Sequence, residues 1–153
     1  MSVARIKIRA FLPADAAAIL EIQRLAAEAA PWRLADYERL AQDPDGQVLA
    51  AELPEGGGIA GFLAARLMGE EAELQNLAVH PGYRRRGVAK TLMERFHRRL
   101  TAAGVKRVYA EVRASNQPAL SLYQSLGYTE CGVRQSYYAS DGEDAVVLQC
   151  ELH

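Results

Sequence analysis

Residues 76–89 read Asn-Leu-Ala-Val-His-Pro-Gly-Tyr-Arg-Arg-Arg-Gly-Val-Ala, and this stretch decides the predicted fold. It connects an apolar strand to a helix through a loop with three consecutive arginines, Arg84 to Arg86. The first turn of a helix leaves N–H groups unpaired, and the helix dipole favours negative charge there. Gly87 and Ala89 are small enough to let a phosphate approach the backbone. The stretch therefore predicts an anion site, although a solvated basic helix start explains the same residues taken alone.

The strand before this loop changes the phase of its apolar residues. Ala72 and Leu74 are apolar at even positions, whereas Leu77 and Val79 are apolar at odd positions. Side chains alternate between the two faces of a strand, so one extra residue reverses the phase. The pattern predicts a β-bulge near Gln75-Asn76, and the alternative is a strand that is buried on both faces.

Apolar periodicity and turn residues predict the other elements outward from this stretch. The predicted helices run from Leu12-Pro13 to about Glu28, from Leu34 to Ala41, from Val88 to Leu100 before Gly104, and from Asn116 to Gly127. The predicted strands are Arg5–Arg9, Gln47–Glu52, Ile59–Leu67, Glu71–Val79, Val108–Val112, Tyr128–Arg134 and Ala145–Leu152.

The order of these elements predicts an α/β (α+β) fold with a mixed, mostly antiparallel central sheet of about seven strands and four helices on both faces. A helical crossover connects the strand at residues 71–79 to the strand at 108–112, so these two strands are expected to be parallel. Residues 54–58 have the composition of a hairpin loop and are no domain linker. The 153 residues fit one domain spanning 1–153.

Composition narrows the class of protein. With 50% hydrophobic and 24% charged residues, the chain has the balance of a soluble globular domain. A formal net charge of -1 gives no chain-wide positive field, which argues against a nucleic-acid partner. No apolar run approaches the roughly 20 residues of a membrane span, and the basic residues 1–9 lack the apolar stretch of a secretory signal. We therefore expect no membrane partner and a cytoplasmic location.

The residues that bind metals are too scattered to predict a metal site. Cys131 and Cys150 have no close partner spacing, and His80, His97 and His153 form no helical pair with an acidic companion. We expect free thiols, no disulfide and no metal.

Residues 76–89 resemble the acetyl-CoA signature of the GNAT superfamily, Q/R-x-x-G-x-G/A after a strand. The resemblance continues through residues 111–116, 122–128, 137–138 and 141–145. This combination resembles the ribosomal-protein-alanine N-acetyltransferases (the RimI group), closely over residues 71–148 and loosely in the first half.

Three details of the chain bear on this resemblance. Pro31-Trp32 falls where the RimI group often has a Pro-Trp pair. Ala89 replaces the commoner glycine of the signature, which the signature permits. Ser136 stands where the group often has asparagine, and this departure bears on peptide recognition rather than on chemistry.

The resemblance implies a GNAT-type fold with a splayed parallel strand pair, and acetyl-CoA as cosubstrate. Its pyrophosphate would lie on the loop at residues 84–89 and its pantetheine arm along residues 77–79. A bulge interrupts strand pairing and leaves backbone groups free for such an arm. The implied cofactor-binding residues are Leu77, Ala78, Val79, Arg84, Arg85, Arg86, Gly87, Val88, Ala89, Lys90, Asn116 and Tyr123. Asn116 is also expected to cap the helix that follows it.

Two residues match the catalytic groups of the RimI group. An N-terminal amine has a pKa of roughly 7.7 to 8.0, so a base must remove one proton near neutral pH. Glu111 matches that base, acting directly or through water, and Tyr123 matches the acid that protonates the departing thiolate. On the residues alone, a strand glutamate such as Glu111 is more often a solvated side chain, and the alternative for Tyr123 is an aromatic packed between Ala119 and Leu126. The backbone N–H of Leu77 is a candidate to stabilise charge on the thioester oxygen.

The acceptor is the least defined part of the prediction. Trp32, Tyr137 and Tyr138 are expected to line a peptide groove, with Glu28 and Asp144 as further candidates. The leading hypothesis is direct transfer to the N-terminal amine of a ribosomal protein that begins with alanine, by a monomer or weak dimer. One alternative is an acetyltransferase acting on a lysine side chain or small amine. The other is a CoA- or phosphate-binding module without catalysis.

Overall fold

A seven-stranded sheet forms the centre of the computed structural model, which describes residues 5–138 and 141–153. The strands are β1 (Lys7–Ala10), β2 (Gly46–Glu52), β3 (Ile59–Met68), β4 (Glu71–Val79), β5 (Arg107–Arg113), β6 (Thr129–Tyr138) and β7 (Glu143–Glu151). Their order across the sheet is β1-β2-β3-β4-β5-β7-β6. The α-helices of the described ranges are α1 (Ala16–Leu25), α2 (Leu34–Gln42), α3 (Val88–Ala102) and α4 (Gln117–Ser125).

Each strand pairs antiparallel with its neighbours except β4 and β5, which are parallel and connected through α3. The prediction of a mixed, mostly antiparallel sheet is therefore confirmed. None of the helices in the described ranges is long and apolar enough to cross a membrane.

Two hydrophobic cores lie on opposite faces of the sheet. On one face, Ile19 and Ile22 of α1 and Tyr37 of α2 pack against Phe62 of β3. On the other face, α3 and α4 pack against the alternate residues of the strands, with Leu92, Met93, Phe96, Leu100 and Tyr123 in the contact. Burying one Leu or Phe side chain contributes roughly 1.5–3 kcal/mol, so the alternating pattern determines which helix lies on which face.

The predicted bulge in β4 is confirmed. Ala64 pairs with Asn76 and the next residue of β3, Ala65, pairs with Leu74, so Gln75 is the extra residue. Leu74 and Leu77 consequently point into the same core despite their opposite parity. Past the bulge both faces of β4 are buried, since Ala78 packs on the α1 side. The alternative interpretation therefore also holds for this half of the strand.

The parallel pair separates after the bulge. Its ladder runs from Glu71 opposite Arg107 to Leu74 opposite Ala110, and no further pair joins the described parts of β4 and β5. The expected splayed pair is thus confirmed, and it leaves a gap beside residues 75–79 and 111–113.

Some predicted boundaries were wrong. Helix α1 ends at Leu25 rather than near Glu28, because Ala26 adopts an extended conformation with φ -96° and ψ 123°. Strand β1 begins at Lys7 rather than Arg5. Strand β6 continues past Arg134 to Tyr138, because an irregular register lets Tyr138 pair with Glu143. Residues 1–4 of the basic amino-terminal stretch lie outside the described residues.

Candidate active site

Two cavities meet at the gap between β4 and β5. The larger, of about 780 Å³, is lined by Glu28, Val79, Tyr83, Arg84, Arg85, Gly87, Val88, Ala89, Lys90, Pro118, Ser121, Leu122, Ser125 and Leu126. The smaller, of about 250 Å³, is lined by residues 27–31, Gln75, Asn76, Leu77, Glu111, Val112, Arg113, Asn116, Ala119, Tyr123 and Tyr138. Glu28 lines both cavities, so it marks their junction. The larger volume lies in the usual range of small-molecule sites, roughly 300–1,000 Å³.

The larger cavity contains the predicted anion loop at the start of α3. Arg85 (φ 63°) and Gly87 (φ 77°) are left-handed, a conformation found in backbone concavities that bind anions. The first N–H groups of α3 are free of intrahelical partners, as at any helix start. Of the predicted loop residues, Arg86 does not line the cavity, and its guanidinium lies 5.5 Å from the centre of the Tyr83 ring. The positive charge and the size of this cavity fit the phosphates of a nucleotide.

Backbone groups of β4 face the gap beside the cavities. The N–H of His80 donates to the carbonyl of Ala60 in β3 at 2.8 Å. Because N–H directions alternate along a strand, the N–H groups of Val79 and Leu77 point away from β3 and into the gap. The side chain of Ala78 is fully buried on the α1 side, so only its backbone is near the gap.

Glu111 lies in the smaller cavity with two partners from β6. Its Oε1 forms an ion pair with Nε of Arg134 at a distance of 3.0 Å, and its side chain is 19% exposed. The charge of Glu111 and a hydrogen bond to it raise the pKa of the Tyr137 hydroxyl. Glu111 is therefore a positioned carboxylate and not a freely solvated side chain. The sequence analysis did not predict Arg134, because no local sequence pattern distinguishes a site residue from any other exposed arginine on an edge strand.

Tyr123 also lines the smaller cavity, from the α4 side. Burial raises the pKa of its hydroxyl far above the ordinary value, and the charge of Glu28 adds to the increase. The hydroxyl consequently stays protonated near neutral pH, which is the state that a proton donor must have. Tyr123 also packs against Tyr128, with ring centres 5.6 Å apart, so the packing interpretation holds as well.

Asn116 joins α4 to the loop at residues 26–33. Its Oδ1 accepts from the N–H of Ala119 at 3.2 Å, which confirms the predicted cap of α4. Its Nδ2 donates to the carbonyl of Ala27 at 3.2 Å. Asn116 lines the smaller cavity, and its contact with a cofactor stays a prediction.

Asn76 holds the other end of this loop. Its side-chain amide accepts from the N–H of Ala30 at 2.9 Å and donates to the Ala30 carbonyl at 3.1 Å and to the Tyr37 hydroxyl at 2.9 Å. Asn76 is only 3% exposed, and the sequence analysis missed this role. A buried amide with these partners fixes the loop over the gap.

The predicted peptide-groove residues are only partly brought together. Tyr138 lines the smaller cavity with the Arg113 guanidinium 4.0 Å from its ring centre, and Tyr137 contacts Glu111. Trp32 instead packs on Tyr37, ring centres 5.0 Å apart, and lines a third cavity, which shares Gln75 with the smaller one. Asp144 accepts from the N–H of Ser136 at 2.8 Å and so shapes β6 near the site. A substrate-binding role for these residues stays a prediction.

The structure also places the candidate thiols and metal ligands. Cys131 is exposed and Cys150 partly buried, and both are free thiols outside the two cavities. Within residues 5–138 and 141–153, His, Cys, Asp and Glu form no cluster of three or more able to hold a metal ion.

Comparisons with known proteins agree with this geometry. The Acetyltransferase (GNAT) family matches residues 16–128. The [ribosomal protein bS18]-alanine N-acetyltransferase of Escherichia coli strain K12 is 37% identical over 124 residues, covering 80% of this chain and 82% of that protein. The enzyme of the same name from Haemophilus ducreyi is 33% identical over 137 residues, covering 88% and 92%.

A solved structure extends the agreement to the fold. The crystal structure of the ribosomal-protein-S18-alanine N-acetyltransferase from Escherichia coli superposes with a TM-score of 0.81 at 31% identity, covering 96% of this chain and 94% of that one. The expected GNAT-type fold is thereby confirmed. The chain belongs to the GNAT acetyltransferase family and is an acetyl-CoA-dependent N-acetyltransferase.

Proposed function

We propose that the chain transfers the acetyl group of acetyl-CoA to the N-terminal α-amine of a ribosomal protein that begins with alanine. The observation that carries the proposal is the meeting of Glu111 and Tyr123 in one small cavity, next to a larger cavity with an anion loop. The Escherichia coli relative is named for the same reaction on protein bS18. A cytoplasmic location belongs to the same proposal, because newly made ribosomal proteins are found there.

The larger cavity supplies the groups that would hold acetyl-CoA. Arg84, Arg85, Lys90 and the first N–H groups of α3 suit the pyrophosphate. The backbone of Leu77 and Val79 suits the amides of the pantetheine arm, which would lie in the gap like an additional strand. The arm directs the thioester toward the smaller cavity.

In the proposed reaction, Glu111 accepts one proton from the acceptor ammonium, directly or through water. The neutral nitrogen then forms a bond to the acetyl carbon while the carbon–sulfur bond breaks. The N–H of Leu77 stabilises negative charge on the carbonyl oxygen, and Tyr123 donates its proton to the departing thiolate. The acetylated nitrogen releases its second proton to water, and the Tyr123 phenolate regains a proton from water. Cys131 and Cys150 lie outside both cavities, which supports direct transfer without an enzyme thiol.

An N-terminal amine suits this site better than a lysine side chain. A lysine amine has a pKa near roughly 10.4, so its deprotonation is more costly than that of an α-amine at roughly 7.7 to 8.0. Glu111 is partly solvated and paired with Arg134, which fits the less demanding deprotonation.

Release of free thiol from acetyl-CoA tests the proposal. The acceptors are a short peptide starting with alanine and followed by basic residues, and the same peptide with a blocked N-terminus. We expect turnover with the free peptide only. Turnover that survives the block would favour lysine as the acceptor, and CoA binding without turnover on any peptide would favour a binding module.

The Glu111→Gln variant tests whether Glu111 is the base that deprotonates the acceptor amine. We expect Glu111→Gln to lower kcat by about 10²–10⁴-fold with CoA affinity nearly unchanged, because only proton removal is lost. Glu130→Gln on exposed β6 is the matched control and should keep full turnover. If Cys131→Ala abolished turnover while Glu111→Gln kept it, direct transfer with Glu111 as base would be wrong.

A further inference from the structure

The Glu28 carboxylate is held at the junction of the two cavities by groups from β4 and the anion loop. Its Oε1 lies 2.5 Å from a guanidinium nitrogen of Arg84, and its Oε2 accepts from the N–H of Val79 at 3.3 Å. The same Arg84 nitrogen is 3.5 Å from the Val79 carbonyl. The Glu28 side chain is 5% exposed, so the carboxylate is buried between these partners.

Both partners of Glu28 are groups that the cofactor needs under the proposed function. Arg84 belongs to the loop that suits the pyrophosphate, and the Val79 N–H points into the gap that suits the pantetheine arm. A carboxylate with so little exposure is costly without a cationic partner. When phosphate takes Arg84, Glu28 loses that partner and faces a second negative charge.

The acceptor brings the cation that Glu28 then lacks. Glu28 lines the smaller cavity as well, and its charge acts on Tyr123 there. The other carboxylate of that cavity, Glu111, is already paired with Arg134 and Tyr137. Glu28 is therefore the carboxylate of this cavity without a cationic partner, and it is available to bind the ammonium of the entering acceptor.

We infer that Glu28 is an exchangeable positioning residue, an inference that rests on the proposed function. In the free chain it occupies the Val79 N–H and Arg84, acetyl-CoA takes over both groups, and the released carboxylate holds the acceptor ammonium beside Glu111. Binding of the acceptor is thereby made dependent on binding of the cofactor.

The exchange involves the side chain of Glu28 and leaves its backbone fixed. Ala27 is held by Asn116 and Ala30 by both polar groups of the Asn76 amide. With the loop anchored on either side of Glu28, substitution of this side chain acts locally. A change in cofactor affinity then reports on the Glu28 contacts themselves.

The first measurement is CoA affinity by titration calorimetry on the full chain. We expect Glu28→Gln to bind CoA roughly 5-fold or more tightly than wild type, because a neutral amide competes less for Arg84. Glu21→Gln is the matched control, since Glu21 is an exposed carboxylate of α1 paired with Arg24, and it should leave CoA affinity unchanged. Equal or weaker CoA binding by Glu28→Gln would overturn the inference.

The second measurement is the coupling between CoA and an alanine-initiated peptide. We expect wild type to bind the peptide about 10-fold more tightly with saturating CoA than without it, and Glu28→Gln to lose this difference while its peptide KM rises more than its kcat falls. Coupling that persists in Glu28→Gln would contradict the inference. If Glu28→Gln fails to fold, Glu28→Asp is the substitute. Its carboxylate is one methylene too short to contact Arg84 as Glu28 does, so tighter CoA binding is expected of this variant too.

The two measurements separate this inference from the proposed function. If wild type neither binds nor acetylates any peptide, the proposed function is wrong. The CoA measurement on Glu28→Gln needs no acceptor, so it still decides whether Glu28 competes with the cofactor.

Discussion

Tyr123 illustrates at the residue scale how burial keeps a hydroxyl protonated. Its hydroxyl has a raised pKa because burial disfavours the phenolate, so ionisation begins only at a pH above the ordinary value near about 10. We expect kcat of wild type to show no decline between about pH 8 and 10, and Tyr123→Phe to lower kcat by about 10²-fold at all these pH values. A wild-type decline with a midpoint near pH 9 that is absent in Tyr123→Phe would contradict this role.

Single residues also show where the sequence stops being informative. Glu111 and Tyr123 were predicted because adjacent motif residues resemble a family. The role of Arg134 could not be predicted, because its contact with Glu111 depends on the register of three strands. Arg134 of β6 pairs with Ala145 of β7, and Ala145 pairs with Arg113 of β5. The local sequence around an exposed arginine contains nothing about such long-range pairing.

At the scale of elements, the bulge at Gln75 yields a sharp prediction. Deleting Gln75 restores regular alternation and keeps Leu77 on the face of Leu74, so the core is retained and β4 can continue along β5. We expect a folded chain whose CoA affinity is reduced at least about 10-fold, since the gap loses a few backbone hydrogen bonds worth about 1 kcal/mol each.

Circular dichroism tests whether the Gln75 deletion variant folds, and calorimetry measures its affinity for CoA. Deletion of Gly57, in the turn between β2 and β3, is the control and should keep CoA affinity. A Gln75 deletion variant that folds and binds CoA like wild type would show that the bulge does not open the gap.

Most elements were predictable because their apolar periods are regular, and the bulge was predictable because a reversal of phase has one simple cause. The end of α1 was not predictable from the sequence. The alanines at positions 26, 27, 29 and 30 favour continued helix, and no breaker appears before Pro31. The loop is instead imposed by Asn76, whose amide bonds Ala30 from a distant part of the chain.

At the scale of the whole molecule, Asp15 links stability to pH. It is 5% exposed and bonded to both terminal nitrogens of Arg9 at 2.8 Å. The hydrogen bonds from Arg9, chiefly, hold the pKa of Asp15 below its usual value. Its contribution is therefore present above the unfolded-state pKa of about 3.9 and is lost as pH falls through the lower folded-state pKa.

Urea unfolding of Asp15→Asn measures this contribution. We expect the variant to lose about 1.5–3 kcal/mol of unfolding free energy at pH 7, the range for hydrogen bonds to charged groups. The difference from wild type should shrink as the pH is lowered below about 4, because the wild-type carboxyl then becomes protonated. A difference that stays constant over this pH range would contradict the prediction.

The divergence of β4 from β5 also determines how reactants reach each other. The larger cavity is walled by α3 and α4, whereas the smaller one is bounded by the loop at residues 26–33, Glu111 and Tyr138. Under the proposed function, the cosubstrate and the acceptor therefore approach the reacting atoms from different sides of the molecule. With separate entrances, acetyl-CoA can bind first and a large acceptor protein can then enter without displacing it.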